Sequence, residues 1–224
     1  MKLICLGSGS SGNCYMLDAG HEALVIEAGI PFKEVRKALK FNVLKIVGVV
    51  VGHSHGDHAK YAKEYESAGI PVYKPYECGT VLGLQEYGGF LISPFDLVHD
   101  VPCYGFQIDH PDMGRLVYAS DTEYVRYRFR DVNHMLIEAN YAADMIPDDA
   151  VNYRHVLQGH MELTTTIDFV RANKTPELRN VVLCHLSESN ADPERFMDEV
   201  LDVADCTVWQ AVKGAAIPVN RDPF

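Results

Sequence analysis

The sequence predicts an α/β (α+β) chain in which two β-sheets pack together with helices outside them. Three observations carry this. Residues 46–51, Ile-Val-Gly-Val-Val-Val, and 181–184, Val-Val-Leu-Cys, are unbroken apolar runs, the pattern of strands buried on both faces. Strand-like segments fill the first half of the chain without regular helical crossovers. Helical periodicity enters later, near residues 150–157, 163–172 and 193–204. A doubly wound parallel sheet would alternate strand and helix throughout.

Strands are expected at 3–6, 14–18 and 24–27. Pro31 suits the start of a helix reaching about residue 40, with Phe32, Val35, Ala38 and Leu39 on one face. The strand at 46–51 leads to a helix over 59–68 and a short strand at 71–74. Further strands are expected at 97–98, 105–108, 116–119 and 135–138, and those at 207–209 and 215–218 close the chain. No linker, repeat or low-complexity tract interrupts it, so 1–224 reads as one domain.

Hydrophobic residues are 47% and charged residues 23% of 224, which excludes disordered, collagen-like and coiled-coil classes. No apolar run approaches the roughly 18–20 residues of a membrane span. The opening Met-Lys-Leu-Ile-Cys-Leu-Gly lacks the apolar length of a secretory signal, which leaves a cytoplasmic location as the expectation. Six scattered cysteines, with no Cys-x-x-Cys pair, read as mostly buried free thiols. Lys and Arg number 20 against 31 Asp and Glu, a formal charge of −11. Such a surface repels nucleic acid at long range, although carboxylates also collect where divalent cations bind.

The strongest motif is His53-Ser54-His55-Gly56-Asp57-His58, directly after the buried strand at 46–51. Residues two apart on an extended segment point the same way, so His53 and His55 can grip one metal. Asp57 and His58 then turn away, where they can hold a second. Further ligands are expected from other strand ends, and His99, Asp121 and His185 each stand just past an apolar run. Gly7, Gly9 and Gly12 match the glycine spacing of a dinucleotide loop, but a strand follows where a helix is required. A tight hairpin or a loop beside a site fits better. His21 and His110 read as surface turn residues, and His134 and His155 have no motif context. His160 stands before the helix expected at 163. Arg126, Arg128 and Arg130 alternate with aromatic residues just past Asp121, either as a phosphate-binding strip or as a half-buried basic strand.

With these residues in view, the sequence resembles the metallo-β-lactamase superfamily. That resemblance implies a four-layer αββα sandwich. It implies two divalent metal ions, Zn2+ or Mn2+. His53, His55 and His99 would hold one; Asp57, His58 and His185 would hold the other; Asp121 would bridge them. Gly52 replaces a frequent Thr before the hallmark, and Glu27 replaces an early Asp. Within the superfamily the chain is similar to the single-domain YycJ/WalJ-type hydrolases, through Gly7-Ser8-Gly9-Ser10-Ser11-Gly12-Asn13-Cys14-Tyr15, Ser120-Asp121-Thr122, Glu138-Ala139-Asn140, Gly159-His160 and His185-Leu186-Ser187. Tyr141 stands where that family has His, and Met161-Glu162 where it has Leu-Ser. The resemblance implies a DNA-directed nuclease, with 5′ exonuclease activity suggested.

The expected chemistry is hydrolysis by water activated between two metals. Asp57 would orient the nucleophile and His160 would protonate the leaving oxygen. A small-molecule hydrolase acting on a lactone, thioester or cyclic nucleotide would use the same centre. A structural metal module fits worse, because structural zinc sites are usually mononuclear and closed. The expected partner is DNA, with no membrane; the sequence leaves the oligomeric state open.

Overall fold

The computed structural model describes residues 1–78, 83–146 and 159–222. Two sheets face each other. The first has six strands: β1 (Lys2–Gly7), β2 (Cys14–Asp18), β3 (Ala23–Ile26), β4 (Ile46–Val50), β5 (Val72–Tyr73) and β13 (Ala216–Pro218), in the order β13-β1-β2-β3-β4-β5. The second has seven: β6 (Gln85–Tyr87), β7 (Phe90–Leu97), β8 (Cys103–His110), β9 (Gly114–Ala119), β10 (Val132–Glu138), β11 (Asn180–Cys184) and β12 (Thr207–Gln210), in the order β12-β11-β10-β9-β8-β7-β6. Each sheet mixes antiparallel hairpins with parallel pairs: β3–β4–β5 in one, β9–β10–β11–β12 in the other.

Three apolar layers hold the sandwich together. Leu3, Tyr15, Leu24 and Ile26 of the first sheet meet Phe90, Phe106, Tyr118 and Val182 of the second in a central core. On the outer face of the first sheet, Met16, Val25 and Val49 pack with Phe32 and Val35 of helix α1 (Phe32–Ala38) and Tyr65 of α3 (Ala62–Ser67). On the outer face of the second, Met135, Ile137, Val181 and Leu183 pack with Phe169 of α4 (Leu163–Asn173) and Phe196 of α5 (Pro193–Ala204). The result is the four-layer arrangement of helix, sheet, sheet and helix that the resemblance implied. Strands β10 and β11 are buried along their whole length, which explains their unbroken apolar runs.

Several expectations need correction. The strand expected at 24–27 stops at Ile26, and Glu27 turns away with φ +65°. The helix expected at 59–68 is two: α2 (Gly56–Ala59), then α3, with the Tyr61 N–H bonded to the Ala28 carbonyl between them. Residues 97–98 end a strand that begins at Phe90, and β6 was missed altogether. Pro94 pairs with Phe106 of β8 and lies beyond β6, which pairs only with Phe90–Ile92. His110 is no surface residue. It ends β8, is buried, and sits 3.1 Å from Glu22 Oε1, which also accepts from the Gly89 N–H. The turn expected to include it begins one residue later, and its ring ties the two sheets together. Residues 122–131 form no strand; they join parallel β9 and β10 as an extended crossover. The helix expected at 150–157, with His155, lies outside the described residues. Among the described residues no helix is long and apolar enough to cross a membrane.

His134, which had no motif context, is wholly buried in β10, where the Asn180 side-chain amide donates to its Nδ1 at 3.0 Å. Burial pushes its pKa from the usual 6.5 down to about 4. The unfolded chain therefore binds the proton first. The resulting stability is fully present above the unfolded pKa and is lost as pH falls toward the folded one. Between pH 7 and pH 5 this histidine should account for about 2 kcal/mol of lost stability. His134→Gln keeps an acceptor for Asn180 and removes the titration. Urea unfolding of the two proteins at both pH values should show the variant losing less stability on acidification, and equal losses would refute the assignment.

Candidate metal centre

Strand ends build the site. Past β4, residues 51–53 stay extended, and His53 and His55 reach into the gap between the sheets before α2 begins. Asp57 and His58 lie in the first turn of α2, so the chain changes from extended to helical in the middle of the motif. That change sends the two halves of the motif to different places. His99 follows β7, Asp121 follows β9, Glu138 ends β10 and His185 follows β11. All seven predicted ligands meet at one edge of the two sheets.

They form two adjoining groups. In each, one ligand atom per residue lies within 4.8 Å of all the others: His53, His55 and His99 in the first, and Asp57, His58, Asp121 and His185 in the second. His99 Nε2 is 3.3 Å from His55 Nδ1, and the His53 and His58 rings stand 4.2 Å apart, so the groups adjoin. His58 Nε2 lies 2.8 Å from Asp121 Oδ2. A third grouping, Asp121, Glu138, His160 and His185, overlaps the second, which puts His160 within reach of the same centre.

Three of these positions have left-handed backbone. Glu27 has φ +65°, Asp121 +55° and His185 +53°; Glu27 and His185 stand one residue past a strand and Asp121 two. This conformation costs a residue with a Cβ on the order of 1 kcal/mol, although Asp and His adopt it more readily than most. It turns the side chain sharply into the gap. His185 is held there from both sides: its N–H donates to Ser8 Oγ at 2.9 Å and its carbonyl accepts from the Asn140 amide at 2.6 Å.

Two buried carboxylates stand behind the histidines. Glu138 Oε1 accepts from Nδ1 of His185 at 2.8 Å and of His160 at 2.7 Å. Its Oε2 accepts the backbone N–H groups of Thr122 and Met161, both at 3.2 Å. Glu27 lies under the other side, 3.3 Å from His58 Nδ1, and accepts from the Tyr118 hydroxyl and the Gly52 N–H. A Cβ at residue 52 would stand 2.6 Å from the Tyr104 carbonyl and 3.0 Å from Glu27 Oε1. The longer Glu at 27 and the missing side chain at 52 are therefore one adjustment. Asn13 completes the shell, with its amide nitrogen 2.8 Å from His58 Nε2 and 3.3 Å from Asp57 Oδ2. The glycine-rich loop thus flanks the site and has no helix behind it.

The electrostatics follow from this packing. Burial keeps His53 neutral, with its pKa down to about 2, as a metal-ligating imidazole requires. For His58 burial works the same way, but Asp121 and Glu27 outweigh it and raise its pKa well above the usual value. His185 behaves alike: against burial, Asp121, Asp57 and Glu138 raise it to about 10. Asp57 and Asp121 are pulled below the carboxylate range by these rings, although burial opposes it. The donors fit divalent cations. His53 Nε2 and His185 Nε2 are buried with no hydrogen-bond partner among the described residues. The surrounding carboxylates favour a protonated His185, and a cation would take the place of its Nε2 proton while Nδ1–H stays with Glu138, the backing that metal-ligating histidines use.

Comparison with known proteins agrees with this geometry. The metallo-beta-lactamase superfamily model matches residues 7–77, which include the whole histidine motif. A metallo-beta-lactamase fold protein, YhfI from Bacillus subtilis, superposes with a TM-score of 0.72 over 96% of this chain and 97% of its own, at 19% identity. The fold is that of the metallo-beta-lactamase superfamily. The resemblance to it read from the sequence stands. The short form of human tRNase Z has the same superfamily fold, with a TM-score of 0.65 over 98% and 99% of the two chains, at 14% identity. By sequence, the chain is 24% identical to exodeoxyribonuclease YycJ of Bacillus anthracis over 83% of its length and 82% of the relative's. It is 23% identical to exodeoxyribonuclease WalJ of Streptococcus pneumoniae over 84% and 82%.

The sequence reading missed Glu138, Asn140, Asn13 and Ser8 as parts of the site. Only the Glu-x-Asn and Gly-Ser-Gly-Ser-Ser-Gly-Asn motifs hinted at them. If Glu138 aligns His185, Glu138→Ala should weaken metal affinity by roughly 10–100-fold, the usual effect of removing such backing. Metal titration followed by calorimetry measures this. Unchanged affinity in a folded Glu138→Ala protein would show that the carboxylate serves packing alone.

Proposed function

We propose that the chain is a metal-dependent phosphodiesterase that hydrolyses DNA. The observation that carries this reading is the pair of adjoining donor groups, one with three imidazoles and one mixed, which meet where the His53 and His58 rings stand 4.2 Å apart. The exodeoxyribonuclease relatives support DNA as the substrate. A small-molecule hydrolase on the same centre is the second reading, favoured by the charge of −11.

His53, His55 and His99 would hold one cation, and Asp57, His58 and His185 the other, with Asp121 between them. Two such ions, zinc or manganese, acidify water and neutralise phosphate oxygens. The residues of the chain supply the rest. Asp57 is held ionised by His58 and His185 and only partly buried, so its carboxylate can accept a hydrogen from the attacking water and orient it. His160 lies beside the second group, its ring centroid 5.2 Å from that of His185 and 6.3 Å from that of His99. Glu138 fixes its Nδ1 and outweighs burial to raise its pKa, which keeps a proton available for the leaving oxygen.

Purified protein with Mn2+ or Zn2+ should cleave end-labelled DNA, and elemental analysis should find close to two metals per chain. Failure on DNA with every divalent metal, together with rapid lactone or thioester hydrolysis, would move the assignment to the second reading. His185→Ala should lose metal and activity together. His160→Ala should keep its metals and lose roughly 10²–10⁴-fold in turnover on DNA, the usual worth of a general acid. The loss should shrink on bis(p-nitrophenyl) phosphate, whose leaving group barely needs a proton. Loss of one metal in His160→Ala would make His160 a ligand instead.

A further inference from the structure

The crossover from β9 to β10 is unusual for two parallel neighbours, which normally need a helix between them. Here residues 122–131 run back along the outer face of the second sheet in extended form, paired with no strand. Val125, Tyr127 and Phe129 are half-buried; the Phe129 ring lies 4.8 Å from that of Phe95 and 6.3 Å from that of Phe169. The other face is exposed and carries Tyr124, Arg126, Arg128 and Arg130. Three of the chain's ten arginines thus stand in a row on a protein of charge −11. Among the described residues, neither Arg128 nor Arg130 has an ion-pair partner. Arg126 has only Asp96 at 3.4 Å, with both side chains about half exposed. Such exposed pairs are worth little and yield easily to another anion.

The head of this row is fastened to the metal centre. The Thr122 N–H donates to Glu138 Oε2, its hydroxyl donates to the Tyr124 carbonyl at 2.9 Å, and the Glu123 N–H bonds to the Val98 carbonyl, next to His99. Tyr124 comes first, 47% exposed, and the arginines lead away from the site. An exposed aromatic ring followed by a line of guanidinium groups is what binds single-stranded nucleic acid: the ring stacks a base and the arginines meet successive phosphates. A rail one side chain wide meets one strand. We propose that Tyr124, Arg126, Arg128 and Arg130 form the track for a single DNA strand leading to the metal centre. This rests on the phosphodiesterase reading above and extends it to the substrate's shape.

The test uses the full chain and a fluorescein-labelled, phosphorothioate-linked oligothymidylate of about 15 nucleotides, read by anisotropy from 50 to 200 mM salt. Replacing all three arginines by glutamine should weaken binding at least tenfold. It should also lower the salt slope by about 2, since each single-strand phosphate contact contributes roughly 0.7. Tyr124→Ala should weaken binding and leave the slope unchanged. Replacing the arginines by lysine should keep the slope. Turnover of bis(p-nitrophenyl) phosphate should stay within twofold of the parent in every variant. Unchanged affinity and slope in the glutamine variant, while the parent still cleaves DNA, overturns the track and leaves the phosphodiesterase reading standing. A parent that binds the strand through the arginines but hydrolyses no DNA fails that reading and keeps the track. Equal loss on bis(p-nitrophenyl) phosphate, tighter binding of duplex, or tighter binding of oligouridylate each overturns the proposal as stated.

Discussion

Burying the Glu138 carboxylate at the end of β10 costs free energy that only hydrogen bonds and opposite charge can offset, and the surroundings supply both. Its four contacts are the His160 ring, the His185 ring, the Thr122 N–H and the Met161 N–H. These come from three segments far apart in the chain. One buried group therefore fixes where the loop after β9, the entry to α4 and the turn after β11 stand relative to one another. All three segments carry residues grouped at the metal centre, Asp121, His160 and His185, and the first of them also begins the arginine row. Moving the carboxylate by an ångström would disturb all of them together, because charge-assisted hydrogen bonds are short and directional.

Glu27 plays the matching part in the other sheet. It lies just past β3, almost fully buried, and faces His58 while binding the Gly52 N–H next to His53. The two carboxylates thus back the centre from opposite sheets, and the ligands hang between them. A cleft floored by two packed sheets deforms little. Left-handed backbone at Glu27, Asp121 and His185 adds local strain; at His185 it is held by the bonds to Ser8 Oγ and from the Asn140 amide, and at Glu27 by the bond from the Gly52 N–H. Rigid support of this kind keeps donor atoms in position before any ligand arrives.

What the sequence made legible was whatever repeats with a local period or a short motif. The buried strands at 46–51 and 181–184 were visible because both faces are apolar. The histidine motif was visible because its spacing has a direct geometric meaning on an extended segment. Helix α5 was visible through the helical periodicity of 193–204, and Asp192 caps it by accepting the Glu194 and Arg195 N–H groups. What stayed hidden depends on contacts between distant segments. Glu138 reads locally as the polar end of an apolar strand, and only its meeting with His160 and His185 gives it a role. Of strand β7 only the end at residue 97 was read, because its burial is irregular along Phe90–Leu97 and shows no clean period of two. His110 looked like part of a turn because Pro111 and Asp112 follow it, yet its partner Glu22 lies 88 residues away.

The charge of −11 and a polyanionic substrate are compatible once distance is taken into account. At physiological ionic strength, charges more than about 8 Å apart are largely screened from one another across solvent. A strand lying along residues 124–130 would meet Arg126, Arg128 and Arg130, with Asp96 beside Arg126 and Glu123 and Asp131 at the two ends of the row. At the centre itself, Asp57 and Asp121 would repel a phosphate, and divalent cations held between them reverse that sign. A local track and a cationic centre on an acidic body attract a phosphodiester only at close range. A free single strand can then be gripped along its length by short-range contacts that the acidic remainder of the surface does not offer.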